Sequence, residues 1–365
     1  MQMIKNLQTL SFQGRLGLKI CMCIFALVFI FSGFNGCSKD NQKKELVVCS
    51  YGGSFQDAQR KAFFTPFEKE TGIKIVEANW SGEYAKLKAM VDSDSVTWDL
   101  VTVAEGSIIE RGIIDNILEE INYSKIDKSL FFEGSLTRYS VGFDLFSTVM
   151  AYRTDAFQGF PPPQSWADFW NVEKYPGDRC LRKDPRTTLE FALLADGVQM
   201  GSLYPLDLDR AFKSLDKIKK HVKVWWSSGH QPAQLLASKE VVMVSAFNGR
   251  IWNAVKNDNV PAEVVWNQGA LDVDSWVIPK GTKNFEAAMK LIEFTSRPEV
   301  QKEFIKYISY GPTIKSTFDN LDAKTMKDLP TAPENYPKQF IFNGKWWAEN
   351  ERMVEEKWNQ WLIKD

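Results

Sequence analysis

The sequence predicts an α/β fold, with mainly parallel sheet flanked by helices and enough chain for two domains. Three observations carry this. Apolar strand-like runs alternate with amphipathic helical runs from Leu46 to Ile113. A second set of such elements follows the rigid turn Phe160-Pro161-Pro162-Pro163. The 365 residues suffice for two domains of ordinary size, and 44% hydrophobic with 25% charged residues are the proportions of a folded soluble protein.

The elements follow in order. Leu46 to Cys49 is a strand, Tyr51-Gly52-Gly53 a turn, and Ser54 the expected cap of a helix carrying Phe55, Ala58, Ala62, Phe63 and Phe67 that Gly72 ends. Ile73 to Ala78 reads as the strand beside the first. A helix through Tyr84, Leu87 and Val91 leads to the buried strand Leu100–Val103, and Ser107 opens a helix with Ile108, Ile109 and Ile113. Phe146 to Tyr152 alternates as a strand, and Ser165 caps Trp166–Trp170. Helices are expected near Thr188–Gly197, at Leu208–Ile218 and from Gly249, with a strand at Val241–Ala246. The C-terminal helix from Lys345 carries the stripe Trp347, Val354, Trp358 and Trp361, whose spacing suits packing on the protein body.

The stretch from Asp274 to Pro312 is the most informative. A strand (Trp276, Val277, Ile278) ends at Pro279. A Pro-Lys-Gly turn precedes a helix with Phe285, Ala288, Met289 and Ile292 on one face. Ser296-Arg297-Pro298-Glu299 closes that helix and opens the next, and Tyr310-Gly311-Pro312-Thr313 breaks the pattern. This order, with Phe67–Ile73 (FEKETGI), Trp98–Val103 and Asn248–Pro312, resembles the extracellular solute-binding proteins of ABC importers, near the spermidine/putrescine-binding branch. The resemblance spans essentially the whole mature chain. It implies a type II periplasmic-binding fold of two lobes joined by crossover strands, with residues 45–148 plus 276–318 in the first lobe and 149–275 plus 319–365 in the second. It implies no enzyme activity, no cofactor, a monomer, a small amine solute such as putrescine or spermidine held between closing lobes, and an ABC permease as partner. An amino-acid-like solute is the alternative.

Composition bounds the rest. Net charge is −1, and beyond residue 36 there are 42 basic against 46 acidic residues, which gives no support to nucleic-acid binding. The N-terminus reads as an export signal: basic residues, then an apolar run from Ile20 to Phe34 that is short for a membrane span. Gly36-Cys37 resembles a lipobox, which implies lipidation of Cys37, a tether over residues 37–44, and a membrane-anchored protein of the periplasm or cell surface. Phe34 and Asn35 stand where an aliphatic and a small residue are usual, so a plain secretory signal or an uncleaved anchor is the rival reading. Cys49 and Cys180 are expected as buried free thiols, since a bond between lobes would resist hinge motion. His221 and His230 are the two histidines, neither is near a Cys, and no metal site is expected.

Enzyme signatures for phosphate loops, metalloproteases, serine hydrolases and dinucleotide binding are absent from the sequence. The 13 Trp keep a secreted carbohydrate-active enzyme in view as a rival, and a surface adhesin is another. Four loops at the carboxyl ends of strands are candidate site loops. Tyr51 and Ser54 belong to the first and Glu105 to the second. The third, Phe247-Asn248-Gly249-Arg250, resembles the family's Trp-Asn-Gly turn, which implies a ligand-stacking ring at Phe247; Arg250 either stabilises the turn or takes an anionic end. The fourth holds Asp272 and Asp274, two residues apart and so on one side of an extended strand. The resemblance makes Asp274 an amine partner, although Asp272 stands where polyamine binders carry Trp. Tyr310, Asp144, Trp226, Ser227 and Asp184 are further candidates, and Arg250 with Arg186 keeps a zwitterionic solute open. No adjacent tyrosine pair suggests iron.

Overall fold

The computed structural model describes residues 45–364 except Glu105. Cys37 and the tether lie outside the described residues. Eight strands form the main path of the sheet: β1 (Glu45–Ser50), β2 (Lys74–Asn79), β3 (Leu100–Ala104), β4 (Ser140–Arg153), β5 (Arg179–Arg182), β6 (Val222–Trp226), β7 (Met243–Phe247) and β8 (Ala262–Val277). Their spatial order is β2-β1-β3-β8-β4-β7-β5-β6. The pairs β1–β2, β1–β3, β5–β6 and β5–β7 are parallel, whereas β8 against β3 and β4, and β4 against β7, are antiparallel. Each end of the sheet is thus a small parallel lobe, and β4 and β8 cross between them. The two-lobed α/β expectation holds.

Each lobe has apolar clusters on its helical faces. In the first, Phe63, Phe143, Phe304 and Trp276 pack face to face and edge to face. In the second, Trp166 stacks on Phe191 at 3.8 Å, and the C-terminal stripe Trp347, Val354, Trp358 and Trp361 is fully buried, as its periodicity predicts. Cys49 and Cys180 are free and buried, and burial pushes both thiols up to about 12.

Several boundaries differ from expectation. The helix after β1 (Gly53–Gln59) starts two residues early, capped by Gly52 without any side-chain bond, so Ser54 is not its cap. Gly52 and Gly53 both take positive φ, and it is their freedom that makes the turn. The helix Gly106–Ile114 likewise leaves the Ser107 hydroxyl buried with no partner among the described residues. The two crossing strands run well past their expected limits, because tertiary pairing extends them through residues with no clear alternation. The strands β5 and β6 went unforeseen: β5 is four residues long with Arg at both ends, and the Trp225-Trp226 pair closes β6 instead of lying in a loop.

The C-terminal helix Gly344–Leu362 touches the first lobe at one point that bears on stability. A Cβ on Gly344 would sit 2.7 Å from the Gly106 carbonyl carbon and 2.9 Å from the Ser107 nitrogen, both backbone atoms that cannot step aside. Gly344→Ala is expected to lower unfolding free energy by roughly 1–3 kcal/mol through overpacking, read by urea denaturation. An unchanged midpoint would show that the two helices separate without cost.

Candidate functional site

Side chains from both lobes and both crossing strands converge on one cavity of about 70 Å³, room for a solute of few heavy atoms. The first lobe supplies Tyr51, Phe55, Trp80, Ser81, Gly82 and Ile108. The second supplies Arg182, Arg186, Trp226, the Ser227-Ser228-Gly229 loop, Phe247 and Arg250, while Asp274 lies on β8 and Tyr310 follows the helix Pro298–Ile305.

Aromatic rings form the walls. Tyr51 stacks on Trp80 with centroids 5.8 Å apart, and the Tyr51 hydroxyl accepts from the Ala104 amide at 2.9 Å. Trp226 meets Phe247 edge-on at 5.5 Å. The Arg182 guanidinium lies over both rings, 5.5 and 5.8 Å from their centroids.

The charged groups are held by the backbone around them. Asp184 caps the helix Pro185–Ala195 and takes a two-pronged contact from Arg186, with Nη2 to Oδ2 at 2.6 Å and Nε to Oδ1 at 2.9 Å. Burial pushes the Asp184 carboxyl up, but Arg186 and Arg182 outweigh it and hold it well below the usual range. The chain turns sharply here: Thr187 is β-branched yet has φ +63, strain of the kind that concentrates at binding sites. Arg250 crosses from the second lobe to the first, donating to the Gly52 carbonyl at 3.1 Å and the Ser54 hydroxyl at 3.2 Å. Its Nε is buried with no partner among the described residues. Burial pulls the Arg250 guanidinium below its ordinary range, against the opposing pull of Tyr310 and Asp274. Burial pushes the Tyr310 phenol up, with Arg250 opposing.

Three guanidiniums and one carboxyl therefore line this cavity among the described residues. Guanidiniums in that number recognise a carboxylate; Asp274 with the rings suits an ammonium group.

The chain matches the family described as bacterial extracellular solute-binding protein over residues 62–334. It belongs to that family. The solute-binding protein is 38% identical over 347 residues to the gamma-aminobutyric acid-binding protein of Pseudomonas aeruginosa, covering 93% of this chain and 97% of the relative. It is 31% identical over 296 residues to the spermidine/putrescine-binding periplasmic protein of Escherichia coli, covering 77% and 81%. Among solved structures, the PBP AgtB of A. tumefaciens R10 in complex with agropinic acid aligns with a TM-score of 0.81 at 37% identity, over 88% of this chain and 99% of that one. The Atu4243-GABA receptor aligns with a TM-score of 0.79 at 38% identity, over 88% and 98%. The protein is the substrate-binding component of an ABC importer, periplasmic or extracellular, and not an enzyme. The carbohydrate-active rival is thereby set aside. No helix among the described residues is long and apolar enough to cross a membrane.

Of the residues singled out in the sequence, Tyr51, Phe247, Arg250, Asp274 and Tyr310 line the cavity of the solute-binding protein, with Trp226, Ser227 and Arg186 from the further candidates. Ser54 stands behind it, bonded to Arg250. Asn248 is a brace: its Oδ1 accepts from the Ser147 amide at 2.9 Å and its Nδ2 donates to the Ser309 carbonyl at 2.5 Å. Asp272 lines two neighbouring cavities instead. Glu105 falls outside the described residues. Sequence reasoning missed Arg182, Phe55 and Trp80. Arg182 carried one usable signal, its place two residues before the acid Asp184.

Proposed function

We propose that this protein captures a small ω-amino acid of the γ-aminobutyrate class between its lobes and delivers it to an ABC permease. One observation carries the reading: Arg182, Arg186 and Arg250 share a small cavity with Asp274. A polyamine offers no anionic group to the guanidiniums at the cavity wall and brings only further cations to a lining that already holds three. The carboxylate of the solute sits among the arginines and its ammonium near Asp274, against the rings of Tyr51 and Trp80. The match to a gamma-aminobutyric acid-binding protein over nearly the whole chain supports this more than the shorter polyamine match does. The alternative of an amino-acid-like solute thus displaces the polyamine.

The mechanics follow the two-lobe arrangement, with residues 45–148 plus 276–318 as one lobe and 149–275 plus 319–365 as the other. A solute bridging Arg186 and Arg250 on one side to Tyr51 and Trp80 on the other favours the closed form, and only such differential contact shifts the balance. A lipid on Cys37 keeps the protein near its permease, and the protein acts as a monomer; mass spectrometry of the membrane fraction and light scattering check both.

Calorimetry decides the solute. γ-Aminobutyrate is expected to bind at least roughly 100-fold more tightly than putrescine or spermidine, since charge-assisted hydrogen bonds to the carboxylate contribute about 1.5–3 kcal/mol each. Tighter binding of a polyamine overturns the proposal and leaves the importer role standing.

A further inference from the structure

Below the cavity floor lies a second carboxyl that takes no part in the solute contacts described so far. Asp144 on β4 stands opposite Asp274 on β8 in the antiparallel pairing, next to a bulge between Gly142 and Asp144. Asp144 is 1% exposed and Asp274 3%. Neither oxygen of Asp144 receives a hydrogen bond from any donor among the described residues, yet the Asp274 carboxyl lies within hydrogen-bonding reach of it.

We propose that the two carboxyls share one proton, carried by Asp144 as a neutral acid whose O–H donates to Asp274, so that a single negative charge faces the solute. Two adjacent carboxylates in a dry site cannot both ionise; one stays protonated. The surroundings choose which. Asp274 borders the cavity and feels Arg250 from the helix Asn248–Asn257. Asp144 faces Asp274 and the Tyr310 phenol, its register partner on the short strand Gly311–Pro312 is Pro312, and no salt bridge reaches it among the described residues. Burial first, and Asp274 second, push the Asp144 carboxyl well above its ordinary value.

Asp144 is then a positioning residue for Asp274 and sets the charge of the site. One anion matches one ammonium, and a diamine finds no second partner there. This last consequence rests on the proposed solute; the proton itself does not.

The test uses the full chain. Infrared difference spectra between wild type and Asp144→Asn at pH 7 are expected to show a carboxylic-acid carbonyl band from wild type only, with or without γ-aminobutyrate. The subtraction removes other buried acids such as Glu190. In calorimetry, Asp144→Asn, which keeps a donor toward Asp274, is expected to stay within about threefold of wild type, while Asp144→Ala loses roughly tenfold or more and Asp274→Asn roughly 100-fold. Absence of the acid band, or an Asp144→Asn variant that is folded by circular dichroism and as weak as Asp274→Asn, overturns the proposal. Because the infrared measurement needs no ligand, failure of γ-aminobutyrate to bind would leave the shared proton standing.

Discussion

Arg250→Ala is expected to weaken solute binding by at least about 100-fold, the loss of two charge-assisted bonds worth roughly 1.5–3 kcal/mol each. Arg250 starts in the second lobe, lines the cavity, and reaches the Gly52 carbonyl and Ser54 hydroxyl of the first. In the proposed reading it is both a contact to the solute and a clasp between lobes. Its guanidinium lies close over Gly53: a Cβ at that position would stand 2.8 Å from Nη1 and push the arginine end aside. Arg250→Lys keeps the charge but loses the planar fork that spans two acceptors, so an intermediate loss of about tenfold is expected. Small-angle scattering supplies a second readout, since the alanine variant without its clasp is expected to be more extended than wild type in the absence of solute. Binding within threefold of wild type would mean that Arg250 only braces the turn, the other role its sequence context allowed.

That ambiguity was typical of what the sequence leaves open. The helices Phe285–Thr295 and Pro298–Ile305, and the buried tryptophan stripe of the last helix, follow from periodicity because local spacing and tertiary burial ask for the same residues. Tyr51 was legible because it follows a strand, where open α/β sheets bind ligands, and Asp274, inside β8, because the family resemblance places an acid there. Asp272 keeps the regular register expected beside Asp274, with Phe146, Leu145 and Asp144 opposite Asp272, Val273 and Asp274, but it borders a small neighbouring cavity that shares Phe146, Arg182 and Phe247 with the site. Arg182 was obscured because the strand that ends at it is four residues long, whereas Arg186 was legible as a residue but not in its presentation, which depends on the positive φ of Thr187, a conformation no local propensity favours. Phe55 and Trp80 look like core in any pattern, and in part they are: Phe55 also packs on Phe143, and Trp80 on Trp98.

The second large effect is a pH dependence of stability that originates away from the cavity, at Glu190. This residue lies in the helix Pro185–Ala195, fully buried, where its Oε1 accepts from the Tyr204 hydroxyl at 2.6 Å and from Trp347 Nε1 at 2.7 Å. The second oxygen has no partner among the described residues. Burial pushes the carboxyl up to about 7, and the two hydrogen bonds only partly offset this. The unfolded chain gives the same group an ordinary value near 4.5. Between those two values the folded state binds the proton more strongly, so its contribution to stability is complete below pH 4.5 and is lost as pH rises through 7. The full swing is about 3 kcal/mol, at roughly 1.36 kcal/mol for each pH unit between the two values. Glu190→Gln removes the titration while keeping an oxygen for Tyr204 and Trp347. Its amide places N–H groups where the unpartnered oxygen stood, which costs about 1–3 kcal/mol at every pH. Urea denaturation across pH 5 to 8 is therefore expected to show a variant less stable than wild type at the acid end and a gap that narrows or reverses toward pH 8. Parallel curves for the two proteins would mean that Glu190 is ionised throughout. The consequence reaches the site as well, because Trp347 belongs to the same C-terminal helix that places Glu351 2.6 Å from Arg111 of the first lobe and 3.9 Å from Arg186 in the cavity wall. Glu190 thus holds, through the Trp347 indole, the helix that stands behind one of the three arginines.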